Sequence, residues 1–510
     1  MTPPLVSLPG ELQNDIRARL DAKSIKNLRA TCSFFAKALP LHFDRVFISA
    51  NSLNLRVFNA IANHETYRHQ VTEVIWDDAR LRTGPETAQE REMLEDEYGD
   101  DPEDECPHWF RKGRYDYHRS ASYKYPKGLP HMGIEESWAH YQELVADQSQ
   151  ILHSNADIEA FTYGLRRFTS LRRITITPST HGKHWNPLYK TPMIRAFPPG
   201  FDYALPKAWP SNNIDDFIDV LPWVSQTVDH PDYVYYGDGF TPEDYRNKWR
   251  GFRLVIRALV ENDDGHRISE LVIGGTEVKS GLNCKIFDEW SPEYDDLVTI
   301  LKRPGFRHLD LHLSTGEMDD EDGWGSYTTG LLHDALAQAQ DLEYLFLRTT
   351  TDLYKFVSNP EWRDFPLRNL FSPENWPRLR DFGISNMIVR LDDIINLLAC
   401  MPPTLRSFEI RDVIFASSQH SYDDFLRSMR DALNWRSRPA EERPKVRMVF
   451  SSDEDEGRGE VGRYITLDEP VCSYLYGTGE NPFEGLRSFI EKGQGGVRRD
   501  IFDPDLAAPF

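Results

Sequence analysis

The chain is poor in cysteine and has no long apolar run. Its 510 residues include five cysteines (Cys32, Cys106, Cys284, Cys400 and Cys472), scattered, odd in number and without a CxxC pair, so neither a disulfide framework nor a cysteine zinc site is expected. No apolar stretch approaches the roughly 18 residues that span a bilayer. The first residues lack the charged-then-apolar order of a signal segment. A soluble, reduced, intracellular protein, cytoplasmic or nuclear, is the expectation.

Positive charge is also in deficit. The 59 Lys and Arg residues stand against 81 Asp and Glu, a formal charge of −22. Such a mean field repels phosphate backbones and anionic lipid, so neither nucleic acid nor membrane is expected as a partner, and a basic protein target is hinted at.

Catalytic and metal signatures are missing as well. There is no GxSxG, no GxxxxGK[ST] and no GxGxxG opening a helix. HETYRH resembles a zinc helix, but His64 and His69 are five residues apart, which turns their rings about 140° from each other around a helix. DDEDG (319–323) and SDEDEG (452–457) look like calcium loops, yet the carboxylates required at the first and twelfth positions are absent. His181 and His184 in HGKH lack further ligands. No metal, no cofactor and no catalytic role is expected.

What is present begins with LPGELQNDIRARLDAKSIKNLRATCSFFAKAL, Leu8 to Leu39. Leu12, Ile16 and Leu20 recur every four residues, one stripe of an amphipathic helix, and Pro9 stands where a first turn tolerates a missing N–H. Asp21 suits a cap for a second helix, with Ile25, Leu28, Cys32 and Phe35 on its apolar side. Phe34 and Leu39 add further apolar surface. A unit this short rarely buries enough to stand alone, so the rest of the chain or another protein must cover it.

These residues resemble the F-box. The Leu8-Pro9 start, Glu11-Leu12, Ile16 and Leu20, then Leu28, Cys32 and Phe35, follow its pattern over residues 5–45; Gln13 and Arg17 depart from it, standing where the family more often has apolar residues. The resemblance implies a small three-helix unit that docks on the Skp-type adaptor of a cullin-based ubiquitin ligase. Leu8, Pro9, Leu12, Ile16, Leu20, Leu28, Cys32 and Phe35 are the positions it assigns to adaptor binding or to the unit's own core.

Beyond residue 45 an apolar-x-x-apolar-x-apolar phrase returns: VTEVIW (71–76), LRRITI (171–176), ISELVI (268–273), FRHLDL (306–311), LEYLFL (342–347), LRDFGI (379–384) and LRSFEI (405–410), with FDRVFI (43–48) as a first copy and VRMVFS (446–451) as a frayed last one. Most later units are longer than the roughly 20–29 residues of ordinary leucine-rich repeats. Helix-like stretches lie between them at 295–303, 328–340, 391–401 and 422–435. The expected fold is α/β: the three-helix unit followed over 46–470 by an irregular, leucine-rich-repeat-like solenoid of alternating strands and helices, with 471–510 as a capping tail. A doubly wound sheet would use the same alternation. The long helix-bearing repeats also resemble those of fungal F-box proteins.

Two insertions interrupt the series, about 79–135 and 178–241. The first joins an acidic run (95–105) to a basic, aromatic stretch (109–127), which reads as a solvated loop. The second is crowded with aromatics, among them Trp185, Tyr189, Trp209, Trp223, Tyr233 and Tyr235, which either anchor a long loop or form a recognition surface. Helical stripes at 136–152 and 243–260 return the chain to the next strand. Ser451 and Ser452, followed by DEDE, suit an acidophilic kinase.

Read together, these features point to a non-catalytic substrate-recognition subunit of a Skp–cullin–F-box ubiquitin ligase, its repeats holding an unknown protein substrate. A non-degradative repeat scaffold and an α/β enzyme are the alternatives.

Overall fold

The repeated phrase decides the architecture, because its second and third apolar residues alternate with polar ones at the period of a strand. The computed structural model describes residues 4–20, 22–39, 41–84, 106–118, 130–182, 187–206, 209, 223, 243, 246–274, 281–315, 324–351, 365–416, 420–451, 463–486, 492–500 and 507–509. Within them the phrases become β1 (Arg45–Ile48), β2 (Glu73–Asp77), β3 (Arg173–Thr177) and β4 (Glu270–Ile273). After the short β5 (Leu282–Asn283) come β6 (His308–Ser314), β7 (Tyr344–Thr349) and β8 (Asp381–Ser385). The series continues through β9 (Ile388–Val389), β10 (Ser407–Arg411), β11 (Ile414–Phe415) and β12 (Lys445–Ser451), and ends with β13 (Arg463–Thr466), β14 (Val497–Asp500) and β15 (Ala507–Pro509).

These strands make a 13-stranded, mostly parallel sheet in which spatial order follows chain order from β1 to β15; β5 pairs only with β6, and β9 with β11 in a sheet of their own. Pairing is parallel up to β12 and antiparallel from β12 to β15. Nowhere does the order turn back on itself, as it does in a doubly wound sheet.

Register explains why the phrase repeats. Val74, Ile174, Leu271, Leu309, Leu345, Phe382, Phe408 and Val446 lie side by side in one buried row, and Trp76, Ile176, Ile273, Leu311, Leu347, Ile384, Ile410 and Met448 in another. The leading residues Val71, Leu171, Ile268, Phe306, Leu342, Leu379 and Leu405 are buried just before the strands. At about 1.5–3 kcal/mol for each fully buried side chain, these rows are the main source of stability. The last phrase is offset by three: Val446 pairs with Phe408, a second-position residue.

Helices fill the connections. α1 (Gly10–Ala18), α2 (Ala22–Thr31) and α3 (Ser33–Ala38) precede β1, and α4 (Ser52–Asn63) follows it. Between β2 and β3 run α5 (His108–His118), α6 (Ile134–Ser154) and α7 (Ala156–Leu165); between β3 and β4, α8 (Pro192–Arg195) and α9 (Arg250–Glu261). Then come α10 (Pro292–Leu301), α11 (Gly325–Thr328), α12 (Leu331–Ala337), α13 (Leu367–Leu370), α14 (Leu391–Ala399), α15 (Tyr422–Ala432) and α16 (Asp468–Tyr476). Side chains cap several of them: Asn51 on α4, Ser291 ahead of Pro292 on α10, and a Ser421/Asp424 capping box on α15.

Three expectations shift. The helix expected over 328–340 is broken at Gly330, whose φ of 92° ends α11 and starts α12. The tail expected from 471 begins inside α16, whose Val471 and Leu475 belong to the main core, because the apolar face of that helix packs beneath β12. The stretch from 109 is not a solvated loop where it is described: Trp109 and Phe110 on α5 pack with Trp138 and Tyr141 on α6 and with Phe201 and Tyr203 of the second insertion in a separate aromatic core. The two insertions thus bury each other's aromatics. The acidic run 95–105 lies outside the described residues.

Candidate functional site

The N-terminal helices contribute no residue to either hydrophobic core among the described residues. Phe35 and Leu39 are the buried hydrophobics among their described residues, and both stand apart from the sheet core and from the aromatic core. α2 and α3 meet at Cys32, whose extended backbone (φ −162°, ψ 160°) breaks the single helix expected from Ile25 to Phe35. Arg29 donates to the carbonyl of Leu39, tying α2 to the end of α3.

A shallow apolar groove runs over this unit, lined by Ile16, Leu20, Leu28, Phe35, Ala38 and Leu39, with Leu5 and Gln13 at its rim. Of the eight positions expected to serve the adaptor, Ile16, Leu20, Leu28 and Phe35 come together here. Pro9 and Leu12 face solvent, Leu12 at 51% exposure, while Leu8 and Cys32 are half-buried outside the groove. Leu5 at 41% and Phe34 at 40% extend the apolar surface. Gln13, which departs from the family pattern, clasps the leading segment onto α1, its Nε2 donating to the carbonyls of Leu5, Val6 and Leu8 at 3.3, 3.3 and 3.0 Å. No apolar periodicity signals such a clasp. The side chain of Arg17 and the residue Asp21 lie outside the described residues.

The solvent side of the large sheet is the second candidate surface. Arg45, Glu73, Arg173, Glu270 and His308 stand in register across β1, β2, β3, β4 and β6. Arg45 Nε meets Glu73 at 2.7 Å, Arg173 NH2 meets Glu270 at 2.7 Å, and Arg307 NH2 meets the other oxygen of Glu270 at 2.6 Å. Burial pushes the Glu270 carboxyl up, but the guanidinium groups of Arg307 and Arg173 hold it below the usual carboxylate range. Burial, reinforced by Arg173, drives His308 down to about 4, so its ring is neutral at pH 7, stacked on Tyr344 at 4.0 Å. Further along, Arg348 lies 3.7 Å over the Phe346 ring and donates Nε to Asp310 at 3.0 Å. That ring occupies the space over Gly383 that a side chain would need.

Compared with known proteins, the sequence matches no family model and no curated protein.

A third polar cluster lies at the carboxyl end of β2. Asp78 accepts from Trp209 Nε1 at 2.8 Å and from the Gly251 N–H at 3.0 Å, pinning the second insertion and α9 to the sheet. Its neighbour Asp77 accepts from the Ala79 N–H at 3.2 Å, while its Oδ2 is buried without a well-formed hydrogen bond, the Thr180 hydroxyl offsetting only part of the burial. Burial lifts the Asp77 carboxyl to about 7.

The remaining candidates fall as follows. Trp209 and Trp223 are buried anchors in the sheet core, and Tyr189 lies against Phe47 and Arg45; Trp185, Tyr233 and Tyr235 lie outside the described residues. Ser451 is exposed, with Oγ 2.6 Å from an Asp412 carboxylate oxygen; Ser452 is outside the described residues. His181 Nδ1 is 2.8 Å from the Tyr203 hydroxyl, and His184 is not described. Among the described residues no three of His, Cys, Asp and Glu gather as metal ligands, and no helix is long and apolar enough to cross a membrane.

Proposed function

We propose that the chain is the substrate-recognition subunit of a Skp–cullin–F-box type ubiquitin ligase. Its N-terminal unit docks on the Skp adaptor, and through it on cullin, while the region built on the parallel sheet, an irregular leucine-rich-repeat-like solenoid, holds a protein target. The observation that supports this reading is the N-terminal unit itself: its apolar residues follow the F-box spacing, and Leu5, Leu12 and Phe34 remain exposed because neither core of the chain covers them. Progression of the strands in chain order, with one phrase for each of β1–β4, β6–β8, β10 and β12, supports the solenoid. The chain contributes proximity, holding target lysines near the charged carrier enzyme, and makes no covalent bond itself.

The test is a pull-down of purified Skp adaptor by the full chain, by Leu8→Ala/Pro9→Ala and by Leu12→Asp. Leu12 is half exposed, so its substitution leaves the unit's own packing in place. Capture by the parent and loss in both variants is the expected result. Equal capture by Leu12→Asp, or none by the parent, overturns the proposal.

A further inference from the structure

The most exposed large hydrophobic side chain among the described residues lies outside the N-terminal unit. Trp290, 64% exposed, stands on the turn between Phe287 and α10. Its ring is nonetheless fixed: Nε1 donates to Asp295 Oδ1 on α10 at 2.9 Å, and the next residue, Ser291, caps that helix through the Tyr294 N–H at 3.1 Å. The neighbourhood is acidic. Glu289 and Asp295 are exposed, and Asp334 of α12, 68% exposed, acts with Asp295 on the Tyr294 hydroxyl, whose pKa is raised by burial and then by these two charges. Two other acids of α10 are already taken, Glu293 by Arg253 and Asp296 by Arg257, each at 3.0 Å. Asp295 makes no ion pair among the described residues; its one side-chain contact is the Trp290 N–H.

Elsewhere the chain shows what it places over such a ring. Tyr163, the other exposed aromatic outside the N-terminal unit, lies under Arg167, 5.2 Å from the ring centre. In three places a carboxylate completes the pair. Arg45 lies 5.5 Å over Tyr189 and meets Glu73 at 2.7 Å, Arg348 lies 3.7 Å over Phe346 and meets Asp310 at 3.0 Å, and Arg411 lies 5.4 Å over Tyr464 and meets Glu409 at 3.2 Å. Trp290 and Asp295 supply the ring and the carboxylate of this triplet without its arginine. An apolar partner pressed on Trp290 would strip water from the Asp295 carboxylate and give it no hydrogen bond in return. A guanidinium satisfies both groups, its face on the indole and its fork on the carboxylate, whereas an ammonium is more strongly hydrated and has no flat face to stack.

We propose that Trp290 and Asp295 form a docking site for an arginine side chain in a basic segment of a partner protein. The guanidinium stacks on the exposed indole and donates to the Asp295 oxygen that Trp290 leaves open, while Glu289 attracts further cations of the segment. As a definition of the target class this rests on the substrate-recognition reading. The contact itself needs no adaptor, so its failure leaves adaptor docking standing, and failure of adaptor docking leaves the contact standing.

The experiment is fluorescence anisotropy at 150 mM salt with the full chain and a fluorescein-labelled (Arg-Gly-Ser)4 peptide. (Lys-Gly-Ser)4 and the citrulline analogue, which keeps the shape of arginine without its charge, serve as comparisons. The variants are Trp290→Ala, which leaves the charge of the chain unchanged, Trp290→Phe, which keeps a ring, and Asp295→Asn, which keeps an acceptor oxygen for Nε1. Unchanged urea midpoints confirm folding, as expected for exposed positions. The arginine peptide should bind about fivefold or more tightly than the lysine peptide, and the citrulline peptide should not bind. Trp290→Ala and Asp295→Asn should each weaken binding about fivefold or more, and Trp290→Phe less than Trp290→Ala. No binding of the arginine peptide below ~1 mM, equal binding of either comparison peptide, or undiminished binding by folded Trp290→Ala or Asp295→Asn overturns the proposal.

Discussion

Asp77 lends itself to a quantitative test, because its carboxyl is buried at the end of β2 with one oxygen lacking a well-formed hydrogen bond. In the unfolded chain it ionises near 3.8, whereas burial in the fold holds it to about 7. Between those values the folded state keeps a proton that the unfolded state has lost, so folding stability falls as pH rises. At ~1.4 kcal/mol per pH unit, the interval amounts to about 4 kcal/mol lost on going from pH 4 to pH 7. Asp77→Asn is isosteric, retains an oxygen for the Ala79 N–H and carries no charge at any pH. Urea unfolding followed by tryptophan fluorescence, with Trp76 and Trp209 beside the site, gives the difference between variant and parent; other titrating groups cancel in it. The two proteins should match near pH 4, and the variant should be more stable by up to about 4 kcal/mol at pH 8. An advantage of the same size at every pH, or a variant less stable than the parent at pH 8, would refute the reasoning.

Further outcomes follow from other packed or charged positions. Gly383→Ala places a Cβ 2.3 Å from the Phe346 ring and should cost about 1–3 kcal/mol of unfolding free energy; Phe346→Leu in the same chain should recover part of it. His308 has its pKa lowered to about 4, so as pH falls from 6.5 toward 4 the unfolded state gains a proton that the folded state refuses, and about 3 kcal/mol is lost. His308→Gln should remove that acid-side loss in the same urea series. Gln13→Leu should speed amide exchange at residues 5–8 without moving the urea midpoint of the sheet, since it releases only the clasp on α1. A phosphate on Ser451 would be forced against the Asp412 carboxylate, so an acidophilic kinase should modify Ser451 more slowly in the parent than in Asp412→Ala, as peptide mass spectrometry would show.

The strands were legible in the sequence because the phrase combines a local period of two with a longer repeat, and both survive in any single copy. LRDFGI and LRSFEI even share their exits: Asn386 and Asp412 both take left-handed backbone (φ 55° and 44°), and each is followed by a two-residue strand, β9 or β11. What escaped the sequence depends on partners distant along the chain. The aromatic core of the insertions requires Phe110 to meet Tyr141 and Tyr141 to meet Tyr203, and nothing near 110 announces that pairing. The ion pairs of Arg45 with Glu73 and of Arg173 and Arg307 with Glu270 escaped for the same reason, since these residues meet only once strand order and register are known.

The candidate adaptor site was half legible, and the division has a physical cause. Helical spacing groups Ile16, Leu20, Leu28 and Phe35, but it cannot tell a side chain that closes a core from one that waits for a partner. Burial separates them: Phe35 and Leu39 are covered within the unit, Ile16, Leu20 and Leu28 are half covered, and Leu12 and Phe34 stand out in solvent. A segment that orders some thirty residues around two fully buried side chains gains little from its own packing to set against the entropy of that ordering. The clasp of Gln13 on three carbonyls and the tie from Arg29 to the end of α3 supply part of the difference with hydrogen bonds instead of apolar area. A polar residue at position 13 therefore stiffens the free unit and reduces the order that a partner must impose. It does so at the expense of apolar contact where the F-box pattern would offer it. For the proposed adaptor docking, Gln13 thus trades gross contact energy for preorganisation of the free unit.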